Sequence, residues 1–348
     1  MIDSYLLIKI AISFIASFVF IKLLVRFAPM LGLVDIPNHR SHHVQITPRG
    51  AGIGFVLGVI VSDIVMLNEL VFSHIATFLA IFLIFVVGVL DDHRDASPKA
   101  KFFVIFAAVA LLSIDGITIT TLGTISGYNL SLGWFALPFT MFAVAGFTNA
   151  LNLADGLDGL AASLSIVILA TLCMIGINHN DIFIVSLSLS FIAALLAFLF
   201  FNWNPANIFM GDSGSLTLGF VISVLSIKAL PYMQPTAILF IAAIPIMDTI
   251  IVMIRRKSSG HSIFAPDKLH LHHIFLSFFE GNVKKTVIFI ILMQIAYSVM
   301  GLDFSDYKYQ RYILLLFLLN IIIFYILLNT ILKRQNKFAF YRKKKDRK

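Results

Sequence analysis

The residues of this chain that can do chemistry occur in five polar clusters, each beside an apolar run. The most acidic cluster is Asp91-Asp92-His93-Arg94-Asp95, which directly follows an apolar run ending at Leu90. Neighbouring carboxylates repel each other and require a cation, and Mg²⁺ is bound by one or two carboxylates where phosphate oxygens complete its coordination. The cluster therefore indicates metal-assisted phosphate chemistry, with a solvated helix end balanced by Arg94 as the alternative.

The second cluster, from Asn149 to Gly159, combines amides, carboxylates and glycines. Asn149 and Asn152 lie one helical turn apart at the end of an apolar run, and Asp155 and Asp158 follow, each with a glycine after it. Glycine lets the backbone approach a ligand closely. The cluster indicates a ligand-binding turn, although Asp158 alone is explained equally well as the cap of the next helix.

The third cluster ends in Met210-Gly-Asp-Ser-Gly-Ser215 and places Asp212 where the next apolar run begins. A carboxylate beside the N–H donors of a helix N-terminus suits a metal–phosphate group. Asp212 is therefore a candidate metal ligand. Phe209, just before it, either stacks on a base or belongs to the aromatic belt at the membrane surface.

The fourth cluster lies in the polar segment 255–284 and contains Arg255 and the histidines His270, His272 and His273. The histidines lack His-Glu-x-x-His spacing and a neighbouring cysteine, which argues against a zinc site. Imidazoles that hydrogen-bond phosphate oxygens fit the basic surroundings better. Anchoring at the membrane surface is the alternative for Arg255.

The fifth cluster ends in Thr47-Pro48-Arg49-Gly50. Arg49 precedes small residues at a predicted helix start, where it can meet an anion. The Gly50-Ala-Gly52-Ile-Gly54 run has no strand before it, so a dinucleotide-binding fingerprint is not supported. Gly54 and Gly58 predict close packing between two helices instead.

The elements that position these clusters are apolar. Of the 348 residues 59% are hydrophobic and 13% are charged, and the mean hydropathy is +0.95. A water-soluble fold of this size cannot bury so much apolar surface, so lipid is the expected solvent. The runs long enough to span a bilayer are 4–27, 51–68, 72–90, 100–115, 132–150, 159–177, 182–201, 214–231, 236–254, 285–302 and 310–332. The sequence thus predicts an all-α polytopic membrane protein of about eleven helices, with one transmembrane domain at 1–332 and a basic cytoplasmic tail at 333–348.

Basic residues sort to one side of these spans. All Lys and Arg residues except Lys9, Lys228, Lys308 and Arg311 fall at or near one face. Because basic residues are retained in the cytoplasm, the sequence predicts cytoplasmic active-site loops, an outer N-terminus and a cytoplasmic C-terminus. The net charge of +8 then requires no nucleic acid, and the basic tail can contact anionic lipid headgroups.

Taken together, the clusters resemble the polyprenyl-phosphate N-acetylhexosamine-1-phosphate transferases, the MraY/WecA-like glycosyltransferase family 4. The resemblance covers residues 35–275 and rests on Pro-Arg-Gly, Asp-Asp-x-x-Asp at 91–95, the Asn- and Asp-Gly-containing motif at 149–159, Met-Gly-Asp-Ser-Gly-Ser at 210–215 and His-x-His-His at 270–273. It implies ten or eleven helical spans around a shallow cytoplasmic site in the bacterial inner membrane.

The resemblance also implies a reaction. Members use Mg²⁺, with Mn²⁺ as a substitute, to transfer an N-acetylhexosamine-1-phosphate from a UDP-sugar to undecaprenyl phosphate, releasing UMP. A homodimer is a further expectation. The segment Asp35-Ile-Pro-Asn-His-Arg-Ser looks like the surface-polysaccharide, WecA/WbpL-like branch, which implies initiation of an O-antigen or lipopolysaccharide-type polymer. GlcNAc, FucNAc and QuiNAc remain open as the donor sugar.

Roles for single residues follow from the same resemblance. The residues expected in catalysis are Asp91, Asp92, Asp95 and Asp158. The expected metal ligands are Asp212 and Asp92. Asn152, Asp155 and Phe209 are expected to bind the uridine part of the substrate, and Arg255, His270, His272 and His273 its diphosphate. Arg49 and Asn149 are also expected to bind substrate, Arg49 through an anionic group.

A multi-span transporter of an anionic metabolite is the alternative function. Its charged residues are expected near the bilayer midplane, on broken helices related by an internal repeat. In this sequence the polar clusters lie at one face and no repeat is evident. The enzyme is therefore the favoured interpretation.

Overall fold

The structure is a computed structural model that describes residues 4–35, 46–66, 69–94, 96–125, 127–260, 262, 270–305 and 310–345. Most of this chain is helical, as a lipid solvent requires, because a helix satisfies its own backbone hydrogen bonds. The α-helices are α1 (Ser4–Phe27), α2 (Ala51–Val65), α3 (Glu69–Ser73), α4 (Ile75–His93), α5 (Pro98–Leu112), α6 (Ala136–Ala154), α7 (Leu160–His179), α8 (Ile182–Asn202), α9 (Asp212–Ala229), α10 (Pro235–Ile241), α11 (Ala243–Ser258), α12 (Leu271–Phe278), α13 (Val283–Asp303) and α14 (Gln310–Lys345).

The predicted all-helical, multi-span architecture is confirmed, whereas the count of eleven spans is not. Each predicted span falls on a helix or on the pair α10–α11. Within the described residues seven helices are long and apolar enough to cross a membrane, or eight if that bent pair forms one span. Helices α2 and α5 have 15 residues each, about 22 Å at 1.5 Å per residue, which is shorter than a hydrocarbon core of about 30 Å.

Helix α1 packs closely on α2 through the two glycines noted in the sequence. A Cβ atom on Gly54 would lie 2.7 Å from Cγ1 of Ile21, and one on Gly58 would lie 2.1 Å from Oγ of Ser17. Any larger side chain would therefore push the helices apart. The predicted packing role of Gly54 and Gly58 is confirmed.

Helix α9 lies at the centre of the bundle, where it packs against α2, α4, α6, α7 and α8. Nearly all of its residues are buried, from Ser213 to Ala229. Its N-terminus meets the C-terminal ends of α4 and α6. This meeting point brings the polar clusters together at one end of the bundle.

The span predicted at 236–254 is broken. Helices α10 and α11 meet at an angle of 89°, because Pro245, in the first turn of α11, cannot continue a helix that includes Ile241. Gln294 of α13 satisfies the freed backbone groups, since its amide donates to the Ile241 carbonyl at 2.7 Å and accepts the Ile244 N–H at 3.1 Å. The bend directs α11 toward the polar end of the bundle.

Two short antiparallel ribbons complete the described structure. Strands β1 (Val34–Asp35) and β2 (Thr47–Pro48) pair Val34 with Pro48 and lead into α2. Strands β3 (Thr121–Ile125) and β4 (Tyr128–Ser131) form a hairpin between α5 and α6, at the other end of the bundle. Helix α14 continues through part of the predicted basic tail as far as Lys345, and the division at residue 332 stays a prediction.

Candidate active site

Asp92 fixes the start of α9. Its Oδ1 accepts the N–H of Asp212 at 2.8 Å and its Oδ2 accepts the N–H of Ser213 at 3.0 Å. The approach is so close that a Cβ atom on Gly211 would lie 2.6 Å from Asp92 Oδ1, and Gly211 has φ 75°. A carboxylate on the unsatisfied N–H groups of a helix N-terminus is strongly favoured. Asp92 therefore positions Asp212.

Asp91 and Asp212 share one cation, the ammonium group of Lys101 on α5. The Nζ atom lies 2.6 Å from Oδ2 of Asp212 and also pairs with Oδ2 of Asp91. The other oxygen of Asp91 accepts the N–H of Ala96 at 2.5 Å. Asp91 is buried and Asp212 partly so, so their charges would repel strongly without this cation.

Lys101 was not singled out from the sequence, where it lay inside the span predicted at 100–115. A signal existed: Lys99 and Lys101 stand at the start of a helix that is apolar from Phe102 onward, and charged residues at a membrane boundary are commonly functional. The sequence does not show that three helices bring Lys101 onto two carboxylates.

Asn152 links α6 to the same carboxylate. Its amide nitrogen lies 2.8 Å from Oδ1 of Asp212 and 2.8 Å from Oγ of Ser215. Burial raises the pKa of Asp212, but hydrogen bonds with Asp91 and Lys101 outweigh that effect and hold the pKa below its usual range. Asp212 is therefore ionised at neutral pH. Asn149 lies one turn earlier on α6 and is partly buried.

Asp155 ends α6 and adds a further carboxyl group. Burial, together with the negative charges of Asp212, Asp92 and Asp158, raises the pKa of Asp155 to about 7. More acidic groups meet here than one lysine neutralises. Near neutral pH Asp155 accepts a proton, or the site accepts another cation.

Asp158 joins two loops. Its Oδ2 accepts hydrogen bonds from the Asn204 amide at 2.8 Å and the Ala206 N–H at 3.0 Å. The residue at the N-cap of α7 is Gly159, without a side-chain cap, so the alternative interpretation of Asp158 as a helix cap is wrong. Its predicted catalytic role stays a prediction.

Asn202 strengthens the same junction. Its side chain accepts the N–H of Gly159 at 2.8 Å and donates to the carbonyl of Ile208 at 2.8 Å. The turn after α6 and the segment before α9 are thus held together by side chains of both. A ligand bound between them meets a preformed surface.

Arg49, which directly follows β2, reaches the acidic cluster. Its guanidinium donates to the main-chain carbonyl of Asp92 at 2.5 Å. Phe209 lies beside this segment, since its N–H donates to the Pro48 carbonyl at 2.8 Å and its carbonyl accepts the N–H of Ala51 at 3.0 Å. Both predicted substrate-binding residues therefore lie next to the start of α9.

The histidine motif is attached to α11 by Asp248. His270 donates from Nδ1 to Oδ2 of Asp248 at 2.9 Å, and the N–H of Leu271 donates to Oδ1 at 2.7 Å. Asp248 was not singled out from the sequence, although a carboxylate inside a predicted span is itself a signal of function.

His272 is the residue of the histidine motif that lies next to the acidic cluster. Its ring is stacked on that of His270, with 5.8 Å between centroids, and lies 4.2 Å from that of His273. It also covers Gly156, where a Cβ atom would lie 2.1 Å from Nε2 of His272. The histidines therefore adjoin Asp155.

The remaining predicted residues are placed as follows. Arg255 is buried on α11, two turns after Asp248. Asp95 and residues 263–269 lie outside the described residues. Asn149 and Arg255 lie on the last turns of α6 and α11, and their positions and burial alone do not show contact with the acidic cluster.

The side chains of the acidic cluster can be compared with the ligands that Mg²⁺ requires. Among the described residues, no three His, Cys, Asp or Glu side chains form a ready metal cage. Mg²⁺ does not require one, because it commonly binds one or two carboxylates and takes its other ligands from phosphates and water. Asp91 and Asp212 already share a cationic group, Lys101, so their oxygens fit such an ion.

Comparisons with known proteins agree with this chemistry. Residues 74–230 match the family described as glycosyl transferase family 4. The chain is 35% identical over 328 residues, 90% of each chain, to a probable undecaprenyl-phosphate N-acetylglucosaminyl 1-phosphate transferase of Bacillus subtilis. It is 32% identical over 286 residues to undecaprenyl-phosphate alpha-N-acetylglucosaminyl 1-phosphate transferase of Escherichia coli K12, covering 78% of this chain and 77% of the relative. A relative of the same description from Yersinia pestis is 31% identical over 274 residues, 76% of this chain and 74% of the relative.

Proposed function

Since the chain belongs to glycosyl transferase family 4, we propose that the cluster of Asp91, Asp155 and Asp212 is where it transfers N-acetylhexosamine-1-phosphate from a UDP-sugar to undecaprenyl phosphate. The enzyme class is that of the relatives, a membrane phosphotransferase. The single observation that carries the site assignment is the ammonium of Lys101 held between Asp91 and Asp212. It marks a place built to bind positive charge beside a helix N-terminus, where phosphates bind.

The reaction needs little base catalysis. A phosphate monoester has a second pKa of about 6 and is largely ionised at pH 7. An oxygen of the lipid phosphate attacks the sugar-linked phosphorus of the UDP-sugar, the bond from that phosphorus to the bridging oxygen breaks, and UMP leaves with the bridging oxygen. The products are undecaprenyl-diphospho-sugar and UMP. Charge neutralisation and in-line positioning are the main requirements.

The chain's own residues supply the positioning. Asp92 holds the N-terminus of α9, so the N–H groups of that terminus and the side chain of Asp212 keep a constant relation. Both Asp92 oxygens accept backbone N–H groups, and we therefore assign Asp92 to positioning, while its role as a metal ligand stays a prediction. Arg49, whose guanidinium reaches the Asp92 carbonyl, provides positive charge for a phosphate.

We further propose a divalent cation, Mg²⁺ with Mn²⁺ as a substitute. When bound, it neutralises the diphosphate and polarises its oxygens. Asp91 and Asp212 would hold it, with Asp155 next to them. Among the described residues, one lysine, Lys101, pairs with both Asp91 and Asp212, and this supports the proposal. The pKa of Asp155, raised to about 7 by burial and the neighbouring carboxylates, supports it as well.

The orientation and the donor sugar are also proposals. The site end of the bundle is the end where basic residues concentrate, which supports a cytoplasmic site, an outer N-terminus and a cytoplasmic C-terminus in a bacterial inner membrane. The relatives are described as N-acetylglucosaminyl 1-phosphate transferases, which supports UDP-N-acetylglucosamine as donor. The product would initiate a cell-surface polysaccharide, with the O-antigen type as the expected example.

The test is UMP release by the purified full chain in detergent. The assay contains undecaprenyl phosphate, Mg²⁺ and one of a panel of UDP-N-acetylhexosamines. We expect lipid-dependent release with UDP-N-acetylglucosamine, lost on chelation of the metal and reduced at least about 100-fold in Asp212→Asn. Asp303→Asn, an exposed carboxylate at the other end of α13, is the matched control and should retain activity.

Two outcomes would contradict the proposal. Folded wild-type protein that releases no UMP with any donor would favour the transporter, to be tested by uptake of a UDP-sugar into proteoliposomes. Full activity in Asp212→Asn would place the chemistry elsewhere.

A further inference from the structure

We propose that Asp248 is a positioning residue that aims the histidine motif at the donor's diphosphate. This inference rests on the proposed function. Asp248, His270 and His272 are buried, with 5%, 5% and 3% of their surfaces exposed. Neither the chemistry above nor the family motifs assign Asp248 a role.

The surroundings of Asp248 make its two hydrogen bonds necessary. The small cavity beside it is otherwise lined by apolar side chains and His272, namely Ala154, Leu160, Leu164, Ile244, Pro245, Leu271 and Ile290. A buried carboxylate is costly unless it is hydrogen-bonded. Its compensation comes from the His270 ring and the Leu271 N–H. Both donors belong to the histidine motif, so the two hydrogen bonds to Asp248 hold that motif in place.

The bond to Nδ1 has a directional consequence. A carboxylate on one ring nitrogen of histidine fixes the tautomer and the orientation of the ring. The ring of His272 lies nearly parallel to that of His270, at 9°, so its plane follows the plane that Asp248 sets. His272 then covers Gly156, next to Asp155.

Asp248 also relates the histidines to Arg255. Residues seven apart on a helix lie on one face, about 10 Å apart along the axis. Both side chains are buried on α11. By holding Leu271 and His270, Asp248 sets the distance between two groups expected to bind one diphosphate.

Kinetics of Asp248→Asn test the inference, with Asp181→Asn as the matched control. Asp181 likewise accepts one helix N-terminal N–H, from Ile184 at 3.1 Å, and one side-chain donor, the hydroxyl of Tyr232 at 2.9 Å, but at the other end of the bundle. An asparagine cannot accept from both donors of Asp248. We expect the KM for the UDP-sugar to rise about 10-fold or more, with the KM for undecaprenyl phosphate within about 2-fold of wild type. Asp181→Asn should change neither KM.

A double-mutant cycle separates positioning from simple stability. His270→Gln should raise the donor KM in the wild-type background and add little in Asp248→Asn, because both changes remove one contact. Additive effects, or a lower maximal rate with both KM values unchanged, would overturn the inference while leaving the proposed function intact. Donor binding by the purified protein, measured with UDP, gives a readout if turnover of the variants is too slow, and unchanged UDP affinity would also overturn it. A wild-type enzyme that releases no UMP would overturn both proposals.

Discussion

The carboxylate of Asp92 holds the backbone N–H of Asp212 at 2.8 Å although 120 positions separate them in the chain. The last turn of α4 thereby caps the central helix α9, and Asp212 is placed by a residue of the same acidic cluster. Two adjacent aspartates consequently have different tasks. Asp92 positions a helix, and Asp91 faces the cation shared with Asp212.

Replacing Asp92 by asparagine should therefore damage structure and activity together. An amide can accept only one of the two N–H groups and presents a donor to the other, and a buried unsatisfied donor costs about 1–3 kcal/mol. We expect a lower thermal unfolding midpoint in detergent and a large loss of UMP release. Asp303→Asn is the control for both measurements. Wild-type stability in Asp92→Asn would show that the cap contributes little.

Lys101→Met should make folding depend on a divalent cation. Without the ammonium, Asp91 and Asp212 lose the shared partner that offsets their repulsion. We expect a lower unfolding midpoint than wild type in chelator and a larger rise on addition of Mg²⁺, because the ion no longer displaces a lysine. The measurement is thermal unfolding with and without Mg²⁺. An equal Mg²⁺ response in both proteins would mean that Lys101 and the metal do not share these oxygens.

Asp155 should make the stability of the metal-free protein depend on pH. The pKa of its folded form is about 7, raised from 3.8 by burial and neighbouring carboxylates. The folded state therefore keeps a proton that the unfolded state releases, and this contribution to stability is lost as pH rises from about 4 through about 7. We expect the unfolding midpoint of metal-free protein to fall between pH 5 and pH 8, and this slope to flatten in Asp155→Asn.

Mg²⁺ should oppose that loss because it competes with the proton. Its stabilising effect should be larger at pH 8 than at pH 6. If the unfolding midpoint of metal-free protein falls equally steeply with pH in wild type and in Asp155→Asn, the pH dependence belongs to other groups.

Sequence patterns located the polar groups but not their partners. The motifs around Asp91, Asn152 and Asp212 were predicted to form one site, and the structure brings them together, because charged groups are excluded from lipid and collect where helices end. Lys101 and Asp248 were missed because each lay inside an apolar run that was assigned as a span. Their function depends on residues far away in the chain, which a linear pattern does not contain.

The number of membrane spans is predicted less well than the architecture, for a related reason. An apolar run records hydrophobicity but not whether its helix is straight. Pro245 lay inside the run predicted at 236–254 and was the available signal for the 89° break. The backbone groups freed at this bend are satisfied by Gln294, which belongs to another helix. This contact could not be predicted without knowing how the helices pack.

The buried pair of Lys9 and Asp63 provides a final prediction, away from the active site. Lys9 Nζ lies 2.6 Å from Oδ1 of Asp63 and 2.8 Å from Oγ of Ser186, so one ammonium joins α1, α2 and α8. Lys9→Met leaves a buried carboxylate without its cation and should destabilise the protein by about 3–5 kcal/mol, whereas Lys9→Met with Asp63→Leu should recover most of that loss. Thermal unfolding of the two single variants and the double variant measures the coupling. UMP release per folded molecule should stay at the wild-type level in all three, because the pair lies at the opposite end of α2 from Arg49. Loss of activity in the stable double variant would instead mean that this pair communicates with the site.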